Sequence, residues 1–485
     1  MSWTSIGRFI APALAAAALF ASTGIAPAGE EAAAPAPKIR EPHQCVYIIY
    51  LNPADRECLP DYQERIDALM TVVQSWYRDE MVRNGFEPMT FPLERDADGH
   101  LIIHVIKGTR AYAWREEITT EEVRDNQVKG PMLAKGIDID QEHIIIFENA
   151  TFPSEEGYKR SYRAWAPYCG GGNYKSGTAY VHDYPGMDIV NSPTIGMGGG
   201  VAHEFGHALG LPHNRETDKE REQLGYTLMG HGNEFFSAKR VGKEKGAFLS
   251  KGHATALSSH PLFRRDTTDI DVEPECRFSD VEFAKGEGEY IVTGRVEASP
   301  APYVVLAYHD DKEIGMDYEA TSWVADFDEE TGRFEVHVGQ IEPGWYQLRL
   351  RCYMVNGAMR GVAFQFRIGP ELQLPIAALK RQVLYELHAK PAIEARDPVA
   401  LLPAIEKLAD LNDIHYRRAR AYYDFMTRTK PEPKELSAFA DSVQQVPLSS
   451  VKWDSAEVGW EVPTRDGIPI EDEKENRKDW PLESG

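Results

Sequence analysis

The sequence predicts an α/β layer with a mixed, mostly parallel twisted sheet, followed by an all-β sandwich and a C-terminal helical hairpin. Three observations carry this reading. Short apolar runs alternate with helical patterns through residues 43–200. From about 270 to 369, short apolar or alternating runs are separated by turns rich in Gly, Pro and Asp. After Pro375, apolar residues recur at helical spacing.

Cys45–Leu51 is a β-branched and aromatic run, read as a buried strand. Pro60-Asp61 then opens a helix. Ile66, Leu69, Met70, Val73, Trp76, Tyr77 and Met81 fall three and four apart on one face, and Gly85 ends it. Leu101–Ile106 and Ile144–Phe147 are further strands, with a polar helix over Thr119–Val128 between them. Residues 169–200 are glycine-rich. Within them Thr178–Val181 reads as an edge strand flanked by loops, and the absence of GxxxxGK[ST] rules out a phosphate loop. The sandwich strands are placed at Tyr290–Val292, Tyr303–Ala307, Phe334–Val338, Tyr346–Tyr353 and Val362–Ile368. Ile376, Leu379, Val383 and Leu387 mark one helix, and Ala400–Thr427 a second.

The chain has 485 residues, 42% hydrophobic, which suits a folded protein of several domains rather than a disordered one. Its formal charge of −23 would repel duplex nucleic acid and anionic membranes, so neither is expected as a partner. Arg8 precedes the apolar stretch Phe9–Ala21, which is too short to span a membrane comfortably. Small residues and Ala26-Pro27-Ala28 follow, which fits a cleaved signal peptide and export to the periplasm, cell surface or medium. The divisions are therefore a signal peptide (1–28), a linker (29–42), an α/β domain (43–268), a β-sandwich (269–369), a helical hairpin (370–430) and an acidic tail with Pro and Trp (431–485). Export permits disulfides. Cys45 with Cys58 and Cys276 with Cys352 are the preferred pairs, leaving Cys169, although spacing alone does not fix the pattern.

The chemistry-bearing segment is His203-Glu204-Phe205-Gly206-His207-Ala208-Leu209-Gly210-Leu211-Pro212-His213. Residues four apart on a helix are about 400° apart, so His203 and His207 project from one face. There they can grip one zinc ion. Glu204 sits about 100° around, within reach of a zinc-activated water as general base. His213 would point away if the helix continued, so the chain must turn. Gly210 permits a left-handed stop and Pro212 blocks resumption. Three neutral imidazoles leave a fourth position for water, whose pKa zinc lowers to about 7.

HEFGHALGLPH resembles the zinc signature of the metzincin metalloendopeptidases. Tyr226-Thr227-Leu228-Met229-Gly230 is similar to that clan's Met-turn. The resemblance covers about residues 43–265. It implies that His203, His207 and His213 bind Zn2+, that Glu204 is the general base, and that Met229 is a hydrophobic floor beneath the metal. It also implies a strand edge that aligns an extended protein or peptide substrate, for which residues 177–182 are the candidate. His231 stands where some metzincins carry a Tyr and, without ligand spacing, reads as a bystander. Cys45 lies on a predicted strand, so latency through a cysteine switch is not indicated.

His182-Asp183 reads as a solvated loop rather than a substrate-lining pair. The acidic run Asp326-Phe327-Asp328-Glu329-Glu330 lacks the EF-hand pattern. It is a solvated turn in the main reading and a structural Ca2+ site in the other. The C-terminal regions are candidates for a glycan or surface-protein partner. A binding protein with a structural or vestigial zinc site is the alternative to the peptidase, and a zinc hydrolase of non-peptide amides is a third reading. An open fourth ligand position argues for catalysis.

Overall fold

The computed structural model describes residues 41–112, 119–150, 168–183, 197–236, 245–311, 319–409 and 414–429, with short pieces at 464–465 and 468–469. The expected signal peptide, nearly all of the expected linker and most of the acidic tail lie outside the described residues.

The α/β part is built from β1 (Tyr47–Asn52), α1 (Tyr62–Arg83), β2 (Ile103–Lys107) and α2, which starts at Thr120–Val123 and runs on through Lys129–Ala134. It continues with β3 (His143–Asn149), β4 (Tyr168–Gly172), β5 (Gly177–Asp183) and α3 (Met197–Ala208). The sheet order is β2-β1-β3-β5-β4. All neighbours are parallel except β4, which pairs antiparallel with β5. β1 and β3 are buried along their whole length, as a parallel sheet covered on both faces requires. Ile48, Tyr50, Ile145, Phe147 and Val181 face α1 and α3. Tyr47, Ile49, Ile144, Ile146 and Tyr180 face the opposite way, against Val123, Val128 and Met132 of α2. The α1 residues predicted to line its apolar face are buried, apart from the half-buried Trp76, and Gly85 has the positive φ of a helix stop.

The strand at 177–183 is not the edge. The glycine-rich run before it is a strand, β4, and forms the edge instead. Sequence pattern missed it because glycine carries no strand periodicity. His182 and Asp183 are fully buried rather than solvated. Asp183 accepts two hydrogen bonds from the Arg65 guanidinium, both 2.8 Å, and one from the Tyr50 hydroxyl at 3.0 Å. It thereby ties α1 to the sheet.

After α3 come α4 (Asp218–Gln223), β6 (Gly225–Thr227), β7 (Gly246–Phe248), α5 (Lys251–Ser259) and α6 (Pro261–Arg264). The sandwich follows as β8 (Glu275–Lys285), β9 (Glu289–Ser299), β10 (Pro302–Asp311), β11 (Thr321–Val324), β12 (Asp326–Asp328), β13 (Arg333–Gly339), β14 (Gly344–Met354) and β15 (Met359–Ile368). Its two antiparallel sheets have the orders β11-β10-β14-β15 and β12-β13-β9-β8. β8 escaped the sequence reading because the register slips between Ser279 and Glu282, which breaks its alternation. Val305, Ala307, Leu348 and Leu350 fill the interior between the sheets. Their neighbours Val304, Leu306, Tyr308 and Tyr353 point outward and join the same core as α1 and α3. The sandwich is therefore packed onto the α/β part through a shared core.

None of the five cysteines is joined in a disulfide. Cys45 packs on one face of the α/β sheet and Cys58 on the other, so the expected bridge cannot form without rearrangement. Cys276 and Cys352 do meet across the sandwich, as thiols in hydrogen-bond contact. The C-terminal hairpin is also more divided than expected. α7 begins at Ile376–Leu384 and continues to Lys390–Glu394, and separate helices α8 (Pro398–Ala409) and α9 (Ile414–Thr429) replace the single helix 400–427. The acidic run 326–330, read as a turn, is instead strand β12 over Asp326–Asp328, with the turn starting only at Glu329, because Asp326–Asp328 pair with Arg333–Glu335. The Asp328 carboxylate accepts bonds from the Glu330 and Thr331 amides and from the Thr331 hydroxyl.

Candidate metal centre

Helix α3 carries His203 and His207 one turn apart, and their ring centroids lie 4.8 Å from one another. The helix ends where the sequence required. Gly210 has φ +83°, its amide donates to the His207 carbonyl at 2.9 Å, and the Leu211 amide donates to the Gly206 carbonyl at 3.0 Å. That pair of bonds is the Schellman closure, which reverses the chain. The reversal brings the His213 Nε2 to 2.9 Å from the His207 Nε2, which is itself 3.1 Å from the His203 Nε2. Among the described residues, this is the group of His, Cys, Asp or Glu side chains whose ligand atoms converge as a metal would need.

Hydrogen bonding prepares these rings as ligands. The His203 Nδ1 lies 2.7 Å from the Leu228 carbonyl and the His207 Nδ1 lies 2.9 Å from the Leu211 carbonyl. A carbonyl only accepts, so each Nδ1 carries the proton and each Nε2 presents a lone pair. Burial lowers the His203 pKa to about 4 and that of His207 to about 3, which keeps both neutral. Lone pairs facing one another at this range repel unless a cation lies between them. Three nitrogens bound to zinc at about 2.0–2.1 Å would sit roughly 3.3 Å apart; two of the pairs here lie at 2.9 and 3.1 Å, and all three ligand atoms lie within 4.8 Å of one another. The donor set fits zinc.

Glu204 is half-buried, and that burial raises its pKa to about 7. A dication among the neighbouring imidazoles would pull it back down. Met229 is fully buried, and its sulfur fills the space beside Gly206, where a Cβ would lie 2.4 Å from it. The Met229 segment therefore presses on the helix between the two histidines, and the preceding carbonyl, Leu228, orients His203. His231 is exposed, close enough for its charge to act on His203. His182 lies instead beside Glu148, 3.5 Å away on the buried sheet.

Two supports were not read from the sequence. The first is the glycine strip of β4 and β5. A Cβ at Gly170 would lie 2.0 Å from the Glu204 carbonyl oxygen, and Cβ atoms at Gly172 and Gly177 would lie 2.1 and 1.9 Å from that of Ala208. Only glycine lets α3 lie this close to the sheet edge. The glycines were visible in the sequence, but their meaning depends on the helix they face. The second support comes from the sandwich. Directly after His213, the Asn214 amide side chain donates to the Ser322 hydroxyl at 3.1 Å. The Arg215 amide donates to the Ala320 carbonyl at 2.8 Å, and its guanidinium pairs with Glu319 at 2.8 Å. The third histidine is thus held from the sandwich.

The sequence matches no known family model and no curated protein. Its fold is similar to that of OgpA from Akkermansia muciniphila. Catalytically inactive OgpA, in complex with an O-glycopeptide (glycodrosocin) substrate, superposes with a TM-score of 0.57 over 71% of this chain and 98% of OgpA, at 22% identity. Wild-type OgpA gives a TM-score of 0.57 over 70% of this chain and 97% of that one, also at 22% identity. The likeness covers about seven-tenths of this chain and shows a shared fold. No described helix is long and apolar enough to cross a membrane.

Proposed function

We propose that this chain is an exported, zinc-dependent endopeptidase that cleaves protein or glycoprotein substrates. The observation that carries this reading is the convergence of three imidazole Nε2 atoms next to Glu204, beside an open strand edge. His203, His207 and His213 would hold the ion through Nε2, with the Leu228 and Leu211 carbonyls fixing two of the rings. When bound, zinc supplies a Lewis acid that acidifies water and polarises the scissile carbonyl. The chain's own groups do the rest. The Glu204 carboxylate takes the proton of the attacking water and delivers it to the leaving amine. The side of β4 that no described strand pairs offers backbone amides and carbonyls to an extended peptide, which would dock there as an added strand, a role first placed on 177–182. Met229 and Gly206 keep α3 seated while this happens.

OgpA was crystallised with an O-glycopeptide substrate, which supports glycopeptides as the first substrates to try. The test combines metal analysis with cleavage-site mapping on one sample. The wild type should carry stoichiometric zinc and cut peptide bonds. Glu204→Ala should retain zinc and lose about 10²–10⁴-fold in rate. A zinc-loaded wild type that cleaves nothing in protein and O-glycoprotein digests would sink the peptidase and leave the binding-protein reading.

A further inference from the structure

A cavity of about 250 Å3 opens beside His207, between the sheet edge and the sandwich. Gly172 and His207 line one side of it, and Tyr308, Arg349, Arg351 and Tyr353 the other. The arginines owe their place to strand alternation. On β14, Leu348, Leu350 and Cys352 point into the sandwich interior, so Arg349, Arg351 and Tyr353 project from its outer face toward the α/β part.

Two guanidinium groups on one covered face need negative charge, and the protein supplies little. Arg349 has Asp310, but at 3.6 Å, and its Nε and Nη2 are buried without hydrogen-bond partners. Arg351 has only the Met359 sulfur, 3.7 Å from its Nη1. Among the described residues no carboxylate lies within ion-pair distance of Arg351. Two cations against one anion leave one positive charge in a partly desolvated pocket, a costly arrangement unless a ligand completes it. Burial and the neighbouring Arg349 both lower the Arg351 pKa, as expected for a cation lacking its counter-ion. The chain as a whole is strongly acidic, with a formal charge of −23, so a local cationic pocket stands out electrostatically.

We propose that this cavity is a substrate subsite for a carboxylate, gripped by the Arg351 guanidinium with Arg349 beside it. The proposal rests on the peptidase reading and adds a substrate class to it: peptides carrying a carboxylate next to the scissile bond. A planar guanidinium fork matches a carboxylate in two parallel hydrogen bonds. The sandwich then selects the substrate while α3 cuts it. The carboxylate has two sources, an acidic side chain of the peptide or a carboxylated sugar on an attached glycan. Both would present the same group to the same fork.

The test uses the full-length, zinc-loaded protein and four matched peptides. One pair differs by Gln against Glu beside the cleavage site, and the other by a neutral O-glycan against the same glycan bearing a carboxylated sugar. Wild type should favour one acidic member over its neutral match by about tenfold or more in kcat/KM. The favoured pair identifies the source. Arg351→Gln should bring that ratio close to one, and Arg351→Lys, which keeps the charge but loses the fork, should fall between. Zinc content and melting temperature check that each variant folds, and the wild-type ratios decide the matter even if Arg351→Gln does not. Equal or reversed wild-type ratios overturn the proposal, as does an acid preference that survives in a folded Arg351→Gln. If no substrate of any kind is cleaved, the peptidase reading fails separately. Calorimetric titration with N-acetylglutamate and N-acetylneuraminic acid then decides the subsite alone: binding lost in Arg351→Gln supports it, and no binding in wild type overturns it.

Discussion

Helix α3 meets the sheet edge through bare backbone, whereas the sandwich meets the same site through long side chains. On the sheet side, Gly170, Gly172 and Gly177 remove every atom between the helix and the strands. On the sandwich side, Ser322, Glu319 and Ala320 hold the segment after His213, and Arg349, Arg351, Tyr308 and Tyr353 wall the neighbouring cavity. The first contact tolerates almost no change, because a close-packed backbone cannot yield. The second is made of adaptable side chains, and it is where specificity can vary while the chemistry stays fixed. On the proposed reading this is a division of labour: the α/β part holds the three histidines at a fixed geometry, and the sandwich sets what reaches them.

The sharpest way to break this comparison is at the glycine strip. Gly172→Val places a Cβ 2.1 Å from the Ala208 carbonyl oxygen and must push α3 outward. A loss of about 3 kcal/mol or more in stability is expected, with zinc released, read by denaturant melts and metal analysis. A variant that stays folded with full zinc content would show that the close contact is not what seats the helix.

A second test compares one buried histidine from each region. His143 lies on β3, and burial lowers its pKa to about 4. His309 lies on β10 of the sandwich, and burial lowers its pKa to about 3. Both fold in the neutral state, so below about pH 6.5 the unfolded chain takes up protons that the folded chain refuses. Stability should therefore be full above about pH 6.5 and fall progressively toward pH 4, by up to a few kcal/mol. His309→Phe should flatten the sandwich's share of that slope, since His309 already packs among Tyr290, Tyr346 and Phe366. An unchanged slope in the folded variant would remove His309 from the account.

The smallest expected effect tests whether the sandwich positions the third ligand. Ser322→Ala removes the partner of the Asn214 side chain and should cost about 1 kcal/mol. Zinc affinity should weaken by less than the roughly 10–100-fold typical of losing a direct partner of a ligand, because this bond acts one residue beyond His213. Competition with a chelator of known affinity measures it. Affinity indistinguishable from wild type would make the sandwich a neighbour of the metal centre and not its support.

The sequence alone determined the three-histidine set and its local geometry. Two imidazoles one helical turn apart, a glycine able to take φ +83°, a proline and a returning histidine leave few alternatives, because metal coordination fixes both residue type and spacing. It also determined β1, α1 and β3, whose apolar periodicity reports which face is buried. Tertiary structure decided the rest. Nothing local distinguishes Gly170-Gly171-Gly172 as a strand from a loop, since its reason is a helix some thirty residues later in the chain. Asp183 read as solvated until Arg65 and Tyr50 closed over it, and Cys45 and Cys58 were parted by a sheet that only the pairing of distant strands creates. Arg349 and Arg351 are unremarkable as residues of an alternating strand. They become a charged pocket beside His207 only because the sandwich docks there, and docking depends on long-range packing that no short window of residues encodes.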